Sequence, residues 1–490
     1  MTKPALKPNA IANCQAALVV LVVPMAIILL TACGTRAQAE ANKIVEPCVV
    51  EVQKWRQDKW KRYKTLTLDQ LPGFKPIAIE LSRYGGRMDR RETPTGYFHV
   101  KKIDGRWNFI DPEGYHYLNM AVNSATPNDD NRDSKEAFAK RFGTPEKWAK
   151  ETEQLFKRLG FTGLGCWSDY ELFKQAGTPM PYVRRWNMIA SYAKSLNLTH
   201  AKYGHTGFNN EVLPVFDPAF RTFLHETMGA AIAATRDDPY LIGHFSDNEL
   251  PLKEKGIIQR YLTAHEGSHS RQTALDWLVQ QSKSDSEITR EDDRAFAHLV
   301  TETYYRICNE VLKHHDPNHL YLGSRIHGGV TTQDVTYEAC GPHVDVVSVN
   351  LYHRWSPYQD HLDRWAELSG RPILITEYYA KGVDAGLPTE YGAGFAVKTQ
   401  ADRGRFYENF AIGLLANDNV IGWNWHRYID DGPLDHKDQA SNKGIVDVSF
   451  NEWKPLTRSI QAINTSVYSL QDYVQALPAG SVPTEPTLVP

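Results

Sequence analysis

The sequence has little of several features that usually mark a particular class of protein. Its net charge is only −3 over 490 residues, which gives no reason to expect nucleic acid or an anionic membrane surface as a partner. Cysteines are few, six in all, and none of them has a metal-ligand spacing such as CxxC. We therefore predict no metal site and no organic cofactor. No short internal repeat is present besides an alternation of strand and helix patterns.

The chain has no apolar run of full membrane-spanning length near its start, but its N-terminus is apolar. Residues 16–30 form a run of about 15 residues, interrupted by one proline, which is short for a bilayer. Cys33 and then Gly34 follow, an arrangement that resembles a bacterial lipoprotein signal. We expect a signal peptide at 1–32, lipidation of Cys33 and an extracytoplasmic, lipid-anchored protein at the outer membrane or cell surface. An uncleaved anchor helix is the alternative.

Four cysteines remain beyond the lipidation site, namely Cys48, Cys166, Cys308 and Cys340. An even number in an oxidising compartment permits disulfides. Four cysteines allow three pairings, and the sequence does not choose among them.

Two apolar stretches of the chain end in carboxylates. Residues 371–380 contain the run Ile373 to Ile375 and then Glu377, a pattern typical of a buried strand. Residues 240–250 read in the same way and end in Asn248 and Glu249. Buried parallel strands deliver such side chains to a common edge, at their carboxyl ends.

Strand and helix patterns alternate along most of the chain, which indicates a parallel sheet covered by helices. The predicted strands are 117–123, 159–169, 197–204, 240–249, 319–328, 343–353, 372–377 and 419–428. Eight such units predict an α/β fold, a (β/α)8 TIM barrel with a short N-terminal extension. The expected domains are a tether at 33–46, a partly β extension at 47–110, the catalytic barrel at 111–472 and a disordered tail at 473–490.

The two acids suit glycoside hydrolysis, which needs two carboxyl groups flanking the scissile bond. Glu249 and Glu377 are the candidates for these catalytic groups. Asn248 could hold the sugar 2-hydroxyl, a contact that strengthens in the transition state. Tyr352 could donate a hydrogen bond to Glu377, keep it ionised and lower its pKa relative to that of Glu249.

Further strand-end residues are candidates for substrate binding, each with a structural alternative. Arg325 could contact substrate or form a structural ion pair, and His353 and His426 could bind sugar hydroxyls or be structural histidines. We expect Trp425, rather than Trp423, to point into the site, because successive strand residues alternate in direction. The remaining substrate-binding candidates are Asn123 and Trp167.

An Asn-Glu pair on the fourth strand, a Glu on the seventh and a Trp on the eighth resemble clan A retaining glycoside hydrolases. Within that clan the chain resembles the β-agarases of glycoside hydrolase family fifty. The segments that carry the resemblance are 106-RWNFIDPEGYHYLNMAVN-123, 215-VFDPAF-220, 242-IGHFSDNE-249, 316-DPNHLYLGSRI-326, 373-ILITEYYAKG-382, 421-IGWNWHRYIDD-431 and 444-GIVDV-448.

The resemblance implies that Glu249 is the acid/base, that Glu377 is the nucleophile and that the enzyme cleaves β-1,4 linkages of agarose. Members of that family carry a sizeable N-terminal carbohydrate-binding-like domain, whereas here the extension at 47–110 stands in its place. The alternatives are another clan A hydrolase, directed at β-galactosides, porphyran or mannan, and a non-catalytic glycan-binding surface lipoprotein. Endo or exo action and the oligomeric state stay open.

Overall fold

The protein is described by a computed structural model that covers residues 48–127, 132–202, 205–432, 440–478, 480–482 and 487–489. The strands are β1 (Cys48–Gln53), β2 (Lys61–Thr65), β3 (Arg87–Arg91), β4 (His99–Ile103), β5 (Arg106–Ile110), β6 (Tyr115–Tyr117), β7 (Asn119–Val122), β8 (Gly163–Leu164), β9 (Tyr182–Arg185), β10 (Thr199–Lys202), β11 (His205–Phe208), β12 (Leu241–Phe245), β13 (Leu320–Tyr321), β14 (Ile326–His327), β15 (Val347–Asn350), β16 (Ile373–Tyr378), β17 (Ala380–Gly382), β18 (Phe395–Val397), β19 (Val420–Trp425) and β20 (Leu488–Val489). The helices are α1 (Arg132–Arg141), α2 (Pro145–Arg158), α3 (Tyr170–Gln175), α4 (Met188–Ser195), α5 (Ala219–Ala233), α6 (Ile257–Leu262), α7 (His269–Gln280), α8 (Arg290–His315), α9 (Asp334–Cys340), α10 (Gln359–Ser369), α11 (Gln400–Leu415), α12 (Lys454–Thr465) and α13 (Val467–Ala476).

The centre of the fold is a sheet of nine strands in the order β13-β12-β9-β8-β7-β19-β16-β15-β14. Neighbouring strands are parallel, as in the pairs β12 with β9 and β16 with β19. Every residue of β12, β16 and β19 is buried. Strands that are covered on both faces carry continuous apolar runs, which is the pattern the sequence shows there.

The prediction of a regular (β/α)8 barrel with a short N-terminal extension is wrong. The sheet has nine strands, because the segment predicted as one strand at 319–328 forms two short ones, β13 and β14. Gly323 lies between them with a φ of +74°, a left-handed conformation that ends a strand. Since one short segment supplies both edge strands, the sheet is strongly curved. The described residues also form sheets of five, four and two strands. The four-stranded and two-stranded sheets are antiparallel, whereas the five-stranded sheet is mixed, because β17 and β18 pair in parallel.

The prediction that residues 197–204 form the third strand of the parallel sheet is also wrong. Its place in the parallel sheet is taken by β9, which begins at Tyr182 and pairs with β12. The segment Thr199–Lys202 pairs instead with β11 as an antiparallel hairpin. The four residues of β9 run almost directly into helix α4, so their pattern resembles the start of a longer helix. Short apolar runs are ambiguous between helix and strand for this reason.

The N-terminal part of the described chain contributes to two of the added sheets. Strands β1 and β2 form a hairpin that pairs on one side with β18 and on the other with β20. Strand β20 lies in the segment that was expected to be disordered. Strands β3 to β6 form the four-stranded sheet. The four described cysteines are all free thiols, so none of the disulfides that the sequence permits is present among them.

Helix α8 illustrates how local sequence sets an element's limits. Thr289 caps its first turn and accepts a hydrogen bond from the backbone N–H of Asp292, whose carboxylate returns to the Thr289 N–H. This reciprocal arrangement satisfies two otherwise unpaired donors. The last turn carries Lys313, His314 and His315, whose positive or dipolar side chains suit the negative end of a helix.

No helix in the described ranges has the length and apolar character needed to span a membrane. The predicted signal peptide at 1–32 and the lipidation site Cys33 lie outside the described residues.

Candidate active site

Glu249 and Glu377 both line one cavity of about 590 Å³ at the carboxyl ends of the central strands. Glu377 belongs to β16, and Glu249 follows β12 by four residues. Ligands of parallel sheets bind at this edge. A larger cavity of about 810 Å³ is lined by residues of β3 to β6 and of the chain's C-terminal part, and it contains neither glutamate. The smaller cavity is therefore the candidate active site.

Glu377 is held by one cation and one phenol. The Arg325 guanidinium lies 2.6 Å from Glu377 Oε1, and both side chains are almost completely buried. The expected hydrogen bond from the Tyr352 hydroxyl to Glu377 Oε2 is present. Burial and the charge of Glu377 raise the pKa of Tyr352 well above its usual range, so this phenol stays protonated and donates. The two partners hold both oxygens of the Glu377 carboxylate.

Glu249 has different neighbours, an amide and two histidines. Asn350 Nδ2 donates to Glu249 Oε1 at 2.8 Å, and His205 Nδ1 lies 3.1 Å from Oε2. His327 Nδ1 lies 3.4 Å from Oε1. Burial alone would raise the pKa of Glu249, but these partners, His205 first, outweigh burial and lower it to about 2. Glu249 is therefore a carboxylate in the free protein, whereas a resting general acid has a raised pKa.

One hydrogen-bond network joins the surroundings of the two glutamates. Arg325 donates to Asn248 Oδ1 at 3.0 Å and to the Thr376 carbonyl at 2.8 Å. The Thr376 hydroxyl donates to Asn350 Oδ1 at 2.7 Å, and Asn350 in turn holds Glu249. Arg325, Thr376 and Asn350 are buried, and each is fixed by another member, so the two carboxyl groups are held in a defined relative position.

Four of the eleven described non-glycine residues with a positive φ lie at the cavity. The non-glycine residues Ser124, Trp167, Glu249 and His353 all have left-handed φ values between +55° and +62°. Three of them line the cavity, and His353 packs beside it. Such conformations are costly for residues with a Cβ and cluster at functional sites.

Three further predicted site residues, Trp167, Tyr352 and His426, line the cavity. Trp167 is 36% exposed and has the Arg325 guanidinium 4.5 Å from its ring centre. Burial lowers the pKa of His426 to about 4 even though Glu377 is near, so its ring is neutral at ordinary pH. A neutral imidazole can donate one hydrogen bond to a sugar hydroxyl and accept another.

Four predicted residues lie behind the cavity wall and support it. Arg325 and Asn248 are part of the network around the glutamates. Asn123 Nδ2 donates to the Thr376 carbonyl at 2.9 Å. His353 packs on the ring of Trp55, with ring centres 4.5 Å apart.

The prediction that Trp425 points into the site is wrong. Its indole N–H donates to the Lys443 carbonyl, and its ring packs against Tyr407 of α11. The indole N–H of Trp423 also donates to Tyr407, so both rings face the helix layer. Side chains alternate between neighbouring residues of a strand, so residues two apart, such as 423 and 425, point to the same face. The prediction that these two rings face opposite sides therefore does not follow from strand geometry.

Asp247 acts as a structural anchor. Its carboxylate accepts the backbone N–H groups of Ile189 and Ala190 at the start of α4, each at 3.1 Å, and the Tyr304 hydroxyl at 2.7 Å. Burial raises the pKa of Asp247 to about 6. Its oxygens face the helix rather than the cavity.

Sequence reasoning missed several cavity residues, above all Trp55 and His205. Trp55 lies in the turn between β1 and β2 and is 41% exposed. The neighbouring Arg56 forms a 2.6 Å ion pair with Glu390, which also lines the cavity. His205 begins β11. Trp55 follows no predicted strand, so its position gave no strand-end signal. His205 directly follows the strand predicted at 197–204, and that position was a signal for it.

Comparison with known proteins gives several similarities over most of the chain, although no family model matches it. It is 21% identical over 495 residues to Beta-agarase B of Vibrio sp. (strain JT0107), a match that covers 80% of this chain and 50% of that protein. It is 24% identical over 496 residues to Beta-agarase A of the same strain, and this match covers 79% of this chain and 48% of that protein. The chain thus spans about half the length of the curated relatives it matches.

A solved structure named BpGH50 has a TM-score of 0.77 to this chain and 28% sequence identity. The match covers 87% of this chain and 96% of that chain, so the two have nearly the same extent. The curved sheet and its added sheets are therefore an architecture that a known protein shares.

Proposed function

We propose that the protein is a β-agarase, a glycoside hydrolase that cleaves the β-1,4 linkages of agarose. The observation that carries the proposal is the placement of Glu249 and Glu377 in one cavity with different sets of partners. The similarity to Beta-agarase A and Beta-agarase B supports agarose as the substrate. The likeness to BpGH50 and the sequence resemblance to glycoside hydrolase family fifty agree with it.

The proposed chemistry is a retaining double displacement, as in clan A hydrolases. The Glu377 carboxylate attacks the anomeric carbon of a galactose unit while the bond to the leaving oxygen breaks and Glu249 protonates that oxygen. In the second step Glu249 takes a proton from water, whose oxygen attacks the same carbon and releases Glu377. After the second step Glu377 is again a carboxylate and Glu249 again carries a proton, which it releases to solvent when the product leaves.

The partners of the two glutamates support these roles. Arg325 and the Tyr352 hydroxyl stabilise Glu377 as an anion, the form that a nucleophile needs. Glu249 must carry a proton when it meets the glycosidic oxygen, although its pKa in the free protein is low. Substrate that fills the cavity excludes water and raises the pKa of the carboxyl group it covers. The proposal therefore includes protonation of Glu249 on substrate binding.

We also propose that the enzyme is held outside the cytoplasm by a lipid on Cys33. The apolar run at 16–30 followed by Cys33 and Gly34 supports this placement. It also agrees with the substrate, because a large polysaccharide has to be cut before its pieces can enter a cell.

The function is tested by incubating residues 34–490 with agarose, porphyran, carrageenan and β-mannan and separating the products by chromatography. We expect neoagaro-oligosaccharides from agarose alone. Glu249→Gln keeps the shape of the side chain but cannot exchange a proton, so its turnover on agarose should fall by about 10²–10⁴-fold. Asp247→Asn, a substitution at the anchoring carboxylate nearby, serves as the control for altered folding.

Release of a different glycan's products with the same loss in Glu249→Gln would keep the mechanism and contradict the substrate. Binding of agarose without turnover by the wild-type protein would favour a glycan-presenting lipoprotein instead.

Trp55 is expected to bind a sugar ring at the cavity edge. Its exposed face suits the apolar face of a galactose unit, and His353 packs on the ring and holds it. Trp55→Ala should raise KM for agarose about tenfold, the equivalent of about 1.4 kcal/mol, with little change in kcat. Trp60→Ala is the matched control, because Trp60 belongs to the same hairpin but does not line the cavity. Equal KM values in the two variants would exclude this role.

A further inference from the structure

Two groups of histidine or acidic side chains among the described residues have their ligand atoms within 4.8 Å of one another. The first comprises His244, Asp316 and His319 and is buried. His244 accepts a hydrogen bond from Trp186 and contacts Asp316, and His319 contacts Asp316 and the Asp238 carbonyl. All four ring nitrogens are thus used. A metal ion would have to break these contacts, so this group is a structural network.

The sequence also contains an HExxH motif at 265–269, which strand-end reasoning did not use. That motif binds zinc when both histidines lie on one face of a helix. Here Gly267 has a φ of +80° and helix α7 begins only at His269. The two histidines therefore lie on either side of a turn, and the motif forms no group of three ligands.

The second group comprises His225, His314 and His315 and reaches the surface. His225 lies on α5, and the other two end α8, so the group joins two helices that are distant in sequence. His225 Nδ1 lies 2.9 Å from His315 Nε2. Within the described ranges this is the only hydrogen bond of the three rings. Unlike the buried group, these imidazoles form no hydrogen bond to any other described residue.

The geometry of the three rings suits a shared metal ion. Their centres are 4.8–5.2 Å apart and their planes are inclined by 60–90°, so no ring lies flat on another. Two imidazole nitrogens bound to zinc at about 2.0–2.1 Å are about 2.9–3.4 Å apart, depending on the angle at the metal. The observed His225–His315 separation falls in that range. His314 is exposed, so it can turn toward the other two.

Gly229 makes the close approach of His315 to α5 feasible. A Cβ at this position would lie 2.5 Å from His315 Nε2 and 2.6 Å from Cε1. Glycine inside a helix costs about 1 kcal/mol relative to alanine, so its presence in the middle of α5 requires a reason. The reason is space: without a side chain at Gly229, the His315 ring fits against α5 one turn beyond His225.

The surrounding charges permit a cation. Arg221 lies one turn before His225, but its guanidinium is paired with Glu310 at 2.7 Å. Helix α8 ends at His315, and the C-terminus of a helix is its negative end.

We propose that His225, His314 and His315 bind one divalent transition-metal ion of the Zn²⁺, Ni²⁺ or Cu²⁺ class and so link α5 to the end of α8. Imidazole nitrogen is a preferred ligand of these ions. Three protein ligands leave at least one position for water. None of the three histidines lines the cavity that contains Glu249 and Glu377, so the site is independent of the proposed hydrolysis.

The proposal is tested by calorimetric titration of the untagged protein with Zn²⁺, and by the visible absorption of Co²⁺ in its place. We expect one ion per chain and a metal-dependent rise in Tm, because an ion that binds the folded state stabilises it. His225→Ala and His315→Ala should each weaken Zn²⁺ binding more than about 100-fold, beyond the usual effect of losing an outer partner. His298→Ala, at an exposed position on the same helix α8, should change nothing.

Gly229→Ala tests the geometry without removing a ligand. Alanine improves the helix, so the variant should fold, but its methyl group displaces the His315 ring and should weaken Zn²⁺ binding about tenfold. Absence of one-to-one binding in the wild-type protein would overturn the proposal. Unchanged affinity in His225→Ala and His315→Ala, with their Tm in the absence of metal close to that of the wild type, would also overturn it.

Discussion

Glu377→Gln is expected to lower turnover on agarose by about 10⁴-fold or more in a variant that still folds, although less stably, because the buried Arg325 guanidinium loses its carboxylate partner. The amide has the same shape but no charge, so it cannot form the glycosyl bond that the proposed first step requires. Its NH₂ or carbonyl can still face Tyr352, and the chain around β16 keeps its register. The measurement is the initial rate of reducing-sugar release beside the wild-type protein, with circular dichroism to compare the folds.

A variant with a smaller side chain at position 377 distinguishes loss of the nucleophile from loss of structure. Glu377→Ala leaves space beside the anomeric carbon, and a small anion such as azide can attack there in place of the carboxylate. With an activated aryl glycoside, azide should restore product as a glycosyl azide. Substantial turnover in Glu377→Gln on agarose would show that another group performs the attack.

Arg325→Met is expected to be the most destabilising single substitution at the site. Arg325 is fully buried, and its guanidinium contacts Glu377, Asn248 and the Thr376 carbonyl. Removing one partner of a buried ion pair leaves the other charge unpaired, which costs about 3–5 kcal/mol. The free energy of unfolding from denaturant titration should fall by this amount, and turnover should fall with it because the Glu377 carboxylate loses the guanidinium that positions it.

The matched control is the double variant Arg325→Met with Glu377→Gln. With no charge on residue 377, most of the cost of losing the guanidinium should disappear, so the double variant should be more stable than Arg325→Met alone. Additive losses in the two single variants would show that the ion pair is not the main interaction of Arg325.

The sequence was informative wherever one strand combined an apolar run, which indicates burial, with a carboxylate at its end, which indicates chemistry. Strands β12 and β16 are continuous apolar runs, and each ends near a carboxylate, so their burial and the meeting of Glu249 with Glu377 in one cavity could be predicted. Tyr352 could be placed next to Glu377 because the strands before them are neighbours. In these cases local pattern and parallel topology are sufficient.

Other features depend on backbone conformation that residue pattern does not show. The left-handed Gly323 splits the strand predicted at 319–328, and this break, with the added sheets, makes the regular eight-stranded barrel wrong. Strand β9 is only four residues long and ends two residues before helix α4, so its sequence shows no strand pattern distinct from that of the helix. Short elements contain too few residues to show a clear periodicity of apolar side chains.

The cavity walls were the least predictable part. Trp55 reaches the site from a hairpin whose position depends on pairing with β18, far away in sequence. His205 enters from an antiparallel hairpin that was expected to be a sheet strand. The two histidines beside Glu249 lower its pKa to about 2, a result of tertiary contacts that reverses the expectation of a resting acid. Such contacts between distant segments are visible only in the folded chain.

The most direct test of the account is to locate the covalent intermediate by mass spectrometry. Glu249→Gln lacks the base for the second step, so a 4-nitrophenyl β-neoagarobioside, whose leaving group needs no acid, should accumulate as a glycosyl-enzyme. We predict a mass increase of one neoagarobiosyl group on the peptide that contains Glu377, and none in the double variant with Glu377→Gln. Turnover of the same substrate with no adduct, or an adduct on another residue, would contradict the assignment of Glu377 as the nucleophile.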